Sequence, residues 1–131
     1  IQYMLARMYA PETIKTETAE GTPFFFIVVN DRPVGVLSYD SKPKASSVVM
    51  LHKIYLLPAY WGKGLGHQIL MEVSKQAAAA GADAIELRVN RYNERAIRAY
   101  KRVGFFEKKT WITDIGGGFV MDDYIMRKEL K

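Results

Sequence analysis

Apolar residues along the chain follow two alternating patterns. Short apolar runs of strand length are separated by stretches in which apolar residues recur every three or four positions, as in a helix with one buried face. The pattern predicts helices over residues 1–9, 11–20, 65–80 and 94–103, a turn over 30–33, and strands over 24–29, 34–39, 46–56, 84–89, 105–113 and 119–126. This mixture of strands and helices favours an α/β or α+β fold with one mixed sheet.

A glycine loop connects the third predicted strand to a helix. The apolar run of that strand ends at Pro58, and Gly62, Gly64 and Gly66 follow at every second position. The backbone amides of such a loop and the positive end of the helix dipole can hold a phosphate, although a tight turn without a ligand is the alternative. The Walker loop is excluded because Lys63 is followed by glycine, and the dinucleotide fingerprint is excluded because the third glycine comes one position early.

The helix predicted over residues 94–103 has a signal at each end. Asn93 suits the N-cap position, and Glu94 lies where the helix dipole favours a negative charge. Gly104 suits the residue at which a helix ends in a left-handed conformation, and an apolar run begins at Phe105. The segment is therefore a short helix with well-defined ends.

Together the two segments resemble the GNAT superfamily of acyl-CoA-dependent N-acetyltransferases. The matching residues are Leu56, Pro58, Gly64 and Gly66 in its first motif, and Asn93, Ala96, Tyr100, Gly104 and Phe105 in its second. The resemblance implies a single mixed, mostly antiparallel sheet flanked by helices, with central parallel strands that splay apart. It also implies one domain over residues 1–131 that lacks the usual first strand and helix, so we expect an N-terminal truncation.

The resemblance implies acetyl-CoA as the cosubstrate. Its diphosphate would lie on the glycine loop, and its pantetheine arm would pair with strand backbone freed at a bulge around Leu56, whose amide is a candidate oxyanion donor. Trp61 stands where the family has a Gln or Arg that helps to hold the diphosphate, and Lys63 could supply the missing charge. The candidate cofactor-binding residues are Leu56, Gly62, Lys63, Gly64, Leu65, Gly66, His67, Asn93 and Tyr100.

Two residues are candidate catalytic groups. By resemblance, Tyr100 is the general acid that protonates the departing thiolate, and the alternative is a core tyrosine whose hydroxyl bonds to backbone. His52 is the candidate general base, directly or through a water, and the alternative is a partly exposed strand histidine. Glu12, Glu17 and Glu20 could line the acceptor mouth or be solvated charges, and ordered water could itself deprotonate the amine.

Composition narrows the chemistry further. The chain has no cysteine and two histidines, which excludes an acyl-cysteine intermediate and argues against a structural zinc site, so we expect no metal. No apolar run is long enough to span a membrane, and the lack of cysteine fits a cytoplasmic protein. The net charge of +5 could attract the phosphates of CoA, with basic residues at Arg91, Arg95, Arg98, Lys101, Arg102, Lys108 and Lys109.

These features predict an N-acetyltransferase that moves an acetyl group from acetyl-CoA to a primary amine of a small molecule or peptide, by direct attack in a ternary complex. The N-terminal segment is similar to the polyamine-acetyltransferase branch, although the positive charge does not favour a polyamine. A non-catalytic acyl-CoA-binding or sensing domain is the first alternative. A basic nucleic-acid-binding module is the second, although no nucleic-acid motif accompanies the charge. An open sheet edge would favour a homodimer.

Overall fold

The structure is a computed structural model that describes residues 6–9, 24–40, 42–44 and 47–131. The elements in chain order are β1 (Ala6–Tyr9), β2 (Phe24–Val29), β3 (Arg32–Tyr39), β4 (Val48–Leu56), a 3-10 helix (Pro58–Tyr60), α1 (Leu65–Ala79), β5 (Ala84–Asn90), α2 (Glu94–Val103), β6 (Phe106–Gly116) and β7 (Phe119–Glu129). From β2 onward every predicted strand and helix is confirmed, with ends that differ by a few residues.

The described strands form one mixed sheet in the order β1-β2-β3-β4-β5-β7-β6. All neighbours are antiparallel except β4 and β5, which are parallel. Val48–Leu51 of β4 pairs with Ala84–Leu87 of β5, and no pairing continues beyond Leu51 and Leu87 although both strands do. The predicted mostly antiparallel sheet with splayed central parallel strands is thus confirmed.

The bulge in β4 lies at His52. Ser38 of β3 pairs with Lys53, and the next residue, Tyr39, pairs with Leu51, so His52 is the extra residue. The bulge expected around Leu56 is a wrong prediction, because Leu56 pairs in register with Gly35. A bulge at the last parallel pair bends β4 away from β5 at the point where the two strands separate.

The N-terminal helix prediction is wrong where the structure can test it. Residues 6–9 form strand β1, which pairs antiparallel with β2 from Ala6 opposite Val29 to Tyr9 opposite Phe26. The apolar spacing near the N-terminus was compatible with a helix, but hydrogen bonding to the edge of the sheet overrides such local preference. The helix predicted over residues 11–20 lies outside the described residues.

The turn between β2 and β3 is shorter than predicted. Asn30 and Asp31 both have positive φ, at 50° and 63°, which is the conformation of a two-residue hairpin turn. Pro33 therefore lies within β3, where it pairs with Val28 beside a register shift. A proline is tolerated there because a shifted ladder does not need its missing N–H.

The core between sheet and helices positions the loop and α2. The buried face of α1 consists of Leu65, Ile69, Leu70, Val73, Ser74 and Ala77. In α2, Ile97 and Val103 are buried, the Asn93 side chain accepts from the Ala96 amide at 3.3 Å, and Gly104 ends the helix at φ 110°. Within the described residues, no helix has the length and apolar character needed to cross a bilayer.

Candidate active site

The gap between β4 and β5 exposes backbone of β4. The Leu57 amide donates to the Val34 carbonyl at 2.8 Å. Because residues in an antiparallel ladder alternate in the direction of their hydrogen bonds, Tyr55 also faces β3, while Ile54 and Leu56 direct their amides away from β3. These two amides face the gap, where β5 no longer pairs with β4.

The glycine loop opens α1 without a side-chain cap. Gly62 and Gly64 have positive φ, at 72° and 82°, and Gly64 is the N-cap residue. A Cβ built on Gly62, Gly64 or Gly66 would meet nothing within 4 Å, so the space beside this backbone is open. The first amides of α1 and the positive end of its dipole are therefore accessible to an anion.

Two cavities meet at Tyr100. The first, of about 370 Å³, lies between the end of β4, the glycine loop and α2, and its lining includes Leu56, Gly62, Gly64, Gly66, His67 and Arg95. The second, of about 310 Å³, lies between the splayed strands and includes His52, Lys53, Arg88 and Asn90. Ile54, Asn93 and Tyr100 line both cavities. The two cavities are therefore neighbours that share these three residues.

Comparison with known proteins agrees with this geometry. Residues 3–105 match the acetyltransferase (GNAT) family. An N-acetyltransferase of Methanocaldococcus jannaschii, itself uncharacterised, is 34% identical over 68% of this chain and 42% of the relative. The chain belongs to the GNAT family.

One further relative and one solved structure of the same fold extend the comparison. The GNAT chain is 27% identical to a thialysine N-epsilon-acetyltransferase of Bos taurus, over 71% of this chain and 62% of that protein. It shares its fold with a Bacillus subtilis acetyltransferase solved in complex with CoA, with a TM-score of 0.76, 16% identity, and coverage of 98% of this chain and 100% of that one. The chain spans about half the length of the curated relatives that it matches.

Most predicted cofactor-binding residues of this GNAT chain come together around the first cavity. Its lining contains every candidate named from the sequence except Lys63 and Leu65. Leu65 directs its side chain into the core, where it is 2% exposed, so it could offer a ligand only its backbone. Lys63 is exposed on the loop outside the lining.

Trp61 takes an unexpected place in the GNAT site. Its indole N–H donates to the Leu56 carbonyl at 2.8 Å, which fixes the ring against the end of β4. The guanidinium of Arg95, on α2, lies over the same ring at 4.5 Å from its centroid. Both side chains line the first cavity. A positive charge therefore stands beside the glycine loop, on a residue that was named from the sequence only as part of a basic cluster.

Tyr100 is half-buried where the two cavities meet. Its ring packs edge-on against Phe105 with 5.8 Å between centroids. Burial raises the pKa of Tyr100 above its usual value, which favours the protonated hydroxyl. In the part of the chain that the structure describes, the hydroxyl has no hydrogen-bond partner, unlike a core tyrosine bonded to backbone.

His52 lies at the bulge with a buried carboxylate beside it. Its Nε2 is 2.8 Å from Oδ1 of Asp40, and the two side chains are 44% and 2% exposed. Sequence reasoning named His52 but missed Asp40, which follows β3 and faces His52 across the β3–β4 ladder. The signal that could have found it is an acidic residue at the end of a strand whose hairpin partner carries the histidine.

The basic cluster is largely paired. Arg91 bonds Asp122 at 3.0 Å, Lys101 bonds Glu107 at 2.9 Å, and Lys108 bonds Glu86 at 2.9 Å. Each pair reduces the field that a nucleic acid would meet. Arg95 and Arg102 instead line the first cavity. The described residues contain no group of His, Cys, Asp and Glu side chains that could hold a metal ion.

We expect Gly64→Ala to lower stability and Gly66→Ala not to lower it. Alanine at Gly64 would have to adopt φ near 82°, which costs about 1 kcal/mol. Gly66 lies in the first turn of α1 with no positive φ, so alanine there fits the helix. Thermal unfolding should show a lowered Tm for Gly64→Ala and an unchanged or raised Tm for Gly66→Ala. Equal Tm values for the two variants would contradict the conformation of the loop.

Proposed function

We propose that this GNAT chain carries out the transfer of the acetyl group of acetyl-CoA to a primary amine, by direct attack in a ternary complex. The observation that carries the proposal is the meeting of the two cavities at Tyr100. One cavity borders the open backbone of the glycine loop, whose amides can donate to a phosphate, and the other lies between the splayed strands. A thioester at their junction would be open to an amine that enters from the second cavity.

CoA would occupy the first cavity. Its diphosphate would accept hydrogen bonds from amides at the start of α1, where the helix dipole favours negative charge. Its pantetheine arm would pair with β4 through the amides of Ile54 and Leu56, as an added strand would. Since Ile54 lines both cavities and Leu56 only the first, we assign the oxyanion contact to the Ile54 amide and a pantetheine contact to the Leu56 amide.

The reaction then needs two proton transfers. The neutral amine attacks the thioester carbonyl, a C–N bond forms, and the C–S bond breaks. The leaving thiolate takes a proton from the Tyr100 hydroxyl, and the amine gives up its own proton to a base, for which His52 is the candidate in the second cavity. The net products are an N-acetyl amine and free CoA, and Tyr100 recovers its proton from solvent.

The acceptor proposed is a primary amine at the end of a flexible chain. The bovine relative is named for acetylation of thialysine at its side-chain amine. The second cavity also carries Lys53 and Arg88, with Arg88 paired to Asp123 at 3.1 Å. These cations favour an amine that also bears a carboxylate, such as an amino acid, over a polyamine. A cytoplasmic location and a homodimer stay predictions.

The proposal is tested by release of free thiol from acetyl-CoA in the presence of an amine panel. The panel contains thialysine, lysine, spermidine, an aminoglycoside and a lysine peptide, and the control omits the amine. Amine-dependent thiol release with an N-acetylated product supports the proposal. Tight acetyl-CoA binding with no turnover on any amine would instead indicate an acyl-CoA sensor. Salt-dependent nucleic-acid binding that CoA does not change would indicate a nucleic-acid-binding module.

We expect Arg95→Ala to raise the KM for acetyl-CoA about tenfold. The stacked guanidinium would make a charge-assisted hydrogen bond to a CoA phosphate, in place of the Gln or Arg that Trp61 replaces. Acetyl-pantetheine lacks phosphates, so its KM should not change. Arg98→Ala is the matched control, because Arg98 lies on the same helix outside both cavities. An equal effect on both thioester substrates would contradict a phosphate contact.

A further inference from the structure

Asp40 is a buried carboxylate whose two oxygens are both engaged. Oδ2 accepts a hydrogen bond from the Met50 amide at 3.0 Å, and Oδ1 lies 2.8 Å from Nε2 of His52. The Asp40 side chain is 2% exposed. A carboxylate that is removed from water to this extent requires donors for its oxygens, so the Met50 amide and the imidazole together make its burial possible.

We infer that Asp40 is a positioning residue that holds His52 in the tautomer able to take a proton from the acceptor amine. This inference rests on the proposed acetyl transfer. A carboxylate can only accept, so Oδ1 requires that Nε2 carries the proton. The other ring nitrogen, Nδ1, then keeps a free lone pair. No residue in the described part of the chain bonds to Nδ1.

The location of His52 suits this role. His52 is the bulged residue of β4, at the point where β4 and β5 separate. Its side chain is 44% exposed and lines the cavity that also contains Tyr100. The charged or titratable groups that face this cavity with it are Lys53 on the same strand, Arg88 on β5 and Tyr100 on α2. Asp40 is the only carboxylate within hydrogen-bond distance of His52 among the described residues.

The Asp40→Asn variant should reverse the tautomer of His52 and keep the hydrogen bond from the Met50 amide. The Met50 amide is a donor, so it requires the amide oxygen of the new side chain on its side. The NH₂ group of the asparagine must then face His52 and donate to Nε2. This arrangement moves the ring proton to Nδ1, which can no longer accept a proton from the amine.

The expected result for Asp40→Asn is a kcat lowered about 100-fold with an unchanged Kd for acetyl-CoA. The dependence of kcat/KM on pH should also differ between Asp40→Asn and the wild type, because the variant no longer presents an acceptor nitrogen to the amine. His52→Gln should have a similar effect, and the double variant should lose no more than either single variant, since both changes remove one function. Asp31→Asn is the matched control, with the same chemical change in the β2–β3 turn, where asparagine also accepts positive φ.

Ring ¹⁵N NMR of His52 provides a readout that does not need activity. The wild type should show the Nε2–H tautomer and Asp40→Asn the Nδ1–H tautomer. If no amine is acetylated but the tautomers change as expected, the proposed function fails and the positioning by Asp40 stands. The inference is overturned if His52 in Asp40→Asn retains the wild-type tautomer, or if the variant retains the wild-type kcat and pH profile. It is also overturned if the loss of kcat in Asp40→Asn adds to the loss of kcat in His52→Gln.

Discussion

Tyr100→Phe is expected to lower kcat about 100-fold and to leave the Kd for acetyl-CoA unchanged. The variant keeps the ring and its edge-on contact with Phe105 at 5.8 Å, so packing is preserved. It removes the hydroxyl, which is the proposed proton donor to the leaving thiolate. Without that proton the C–S bond must break to give a free thiolate in a partly buried site, where charge is less well solvated.

The direction of the Tyr100 pKa supports an acid rather than a base. Burial raises the pKa of the hydroxyl above its usual value, so the side chain stays protonated through neutral pH. A protonated phenol can donate to a thiolate, and it cannot take a proton from an alkylammonium ion. This division leaves His52 as the proposed base and Tyr100 as the proposed acid, and both line the same cavity.

The measurement is steady-state kinetics with the best amine of the panel, together with calorimetric titration of acetyl-CoA. Tyr92→Phe is the matched control, because Tyr92 is 76% exposed and lines neither cavity. A wild-type kcat for Tyr100→Phe would show that Tyr100 is not the proton donor to the thiolate. A large loss of acetyl-CoA affinity would instead indicate that the hydroxyl mainly binds the cofactor.

The parts of the site that the sequence predicted well are those specified by local chemistry. Gly62 and Gly64 mark the loop, because few other residues adopt their positive φ values. Asn93 and Gly104 mark the ends of α2 by capping, which depends on residues three or four positions apart. The position of Tyr100 followed from the helix between those caps. None of these features needs knowledge of distant contacts.

The parts that the sequence did not predict depend on pairing between distant segments. Asp40 and His52 meet because β3 and β4 pair with one residue bulged, and a bulge shifts every contact beyond it. The contact of Arg95 with Trp61 depends on how α2 packs beside the glycine loop. The strand at residues 6–9 could not be distinguished from a helix because its partner, β2, lies some twenty residues away in sequence.

Gly35 is a second position at which the addition of a single carbon atom, the Cβ of alanine, should have a large effect on the protein. It lies in β3 between Ile27 of β2 and Leu56 of β4, with which it pairs. A Cβ at this position would collide with the Tyr55 carbonyl oxygen and approach the Leu56 and Ile27 side chains to 3.0 and 3.2 Å. The nearest obstacle is main chain, which cannot rotate away as a side chain can.

Gly35→Ala is therefore expected to displace the end of β4 and to destabilise the fold by about 1–3 kcal/mol. For a domain of this size that corresponds to a Tm lower by about 4–11 °C. Because Ile54 and Leu56 lie on the displaced segment, the Kd for acetyl-CoA should rise as well. Both effects are measured by thermal unfolding with and without acetyl-CoA and by calorimetric titration.

Two further variants separate this steric effect from a general effect of alanine. Gly66→Ala adds the same methyl group where nothing lies within 4 Å, so it should not lower the Tm. Adding Leu56→Ala to Gly35→Ala should not restore the Tm, because shortening that side chain leaves the Tyr55 carbonyl in place. A Gly35→Ala protein with the Tm and acetyl-CoA affinity of the wild type would show that β3 and β4 are not packed this closely. That result would also contradict the direction assigned to the Ile54 and Leu56 amides.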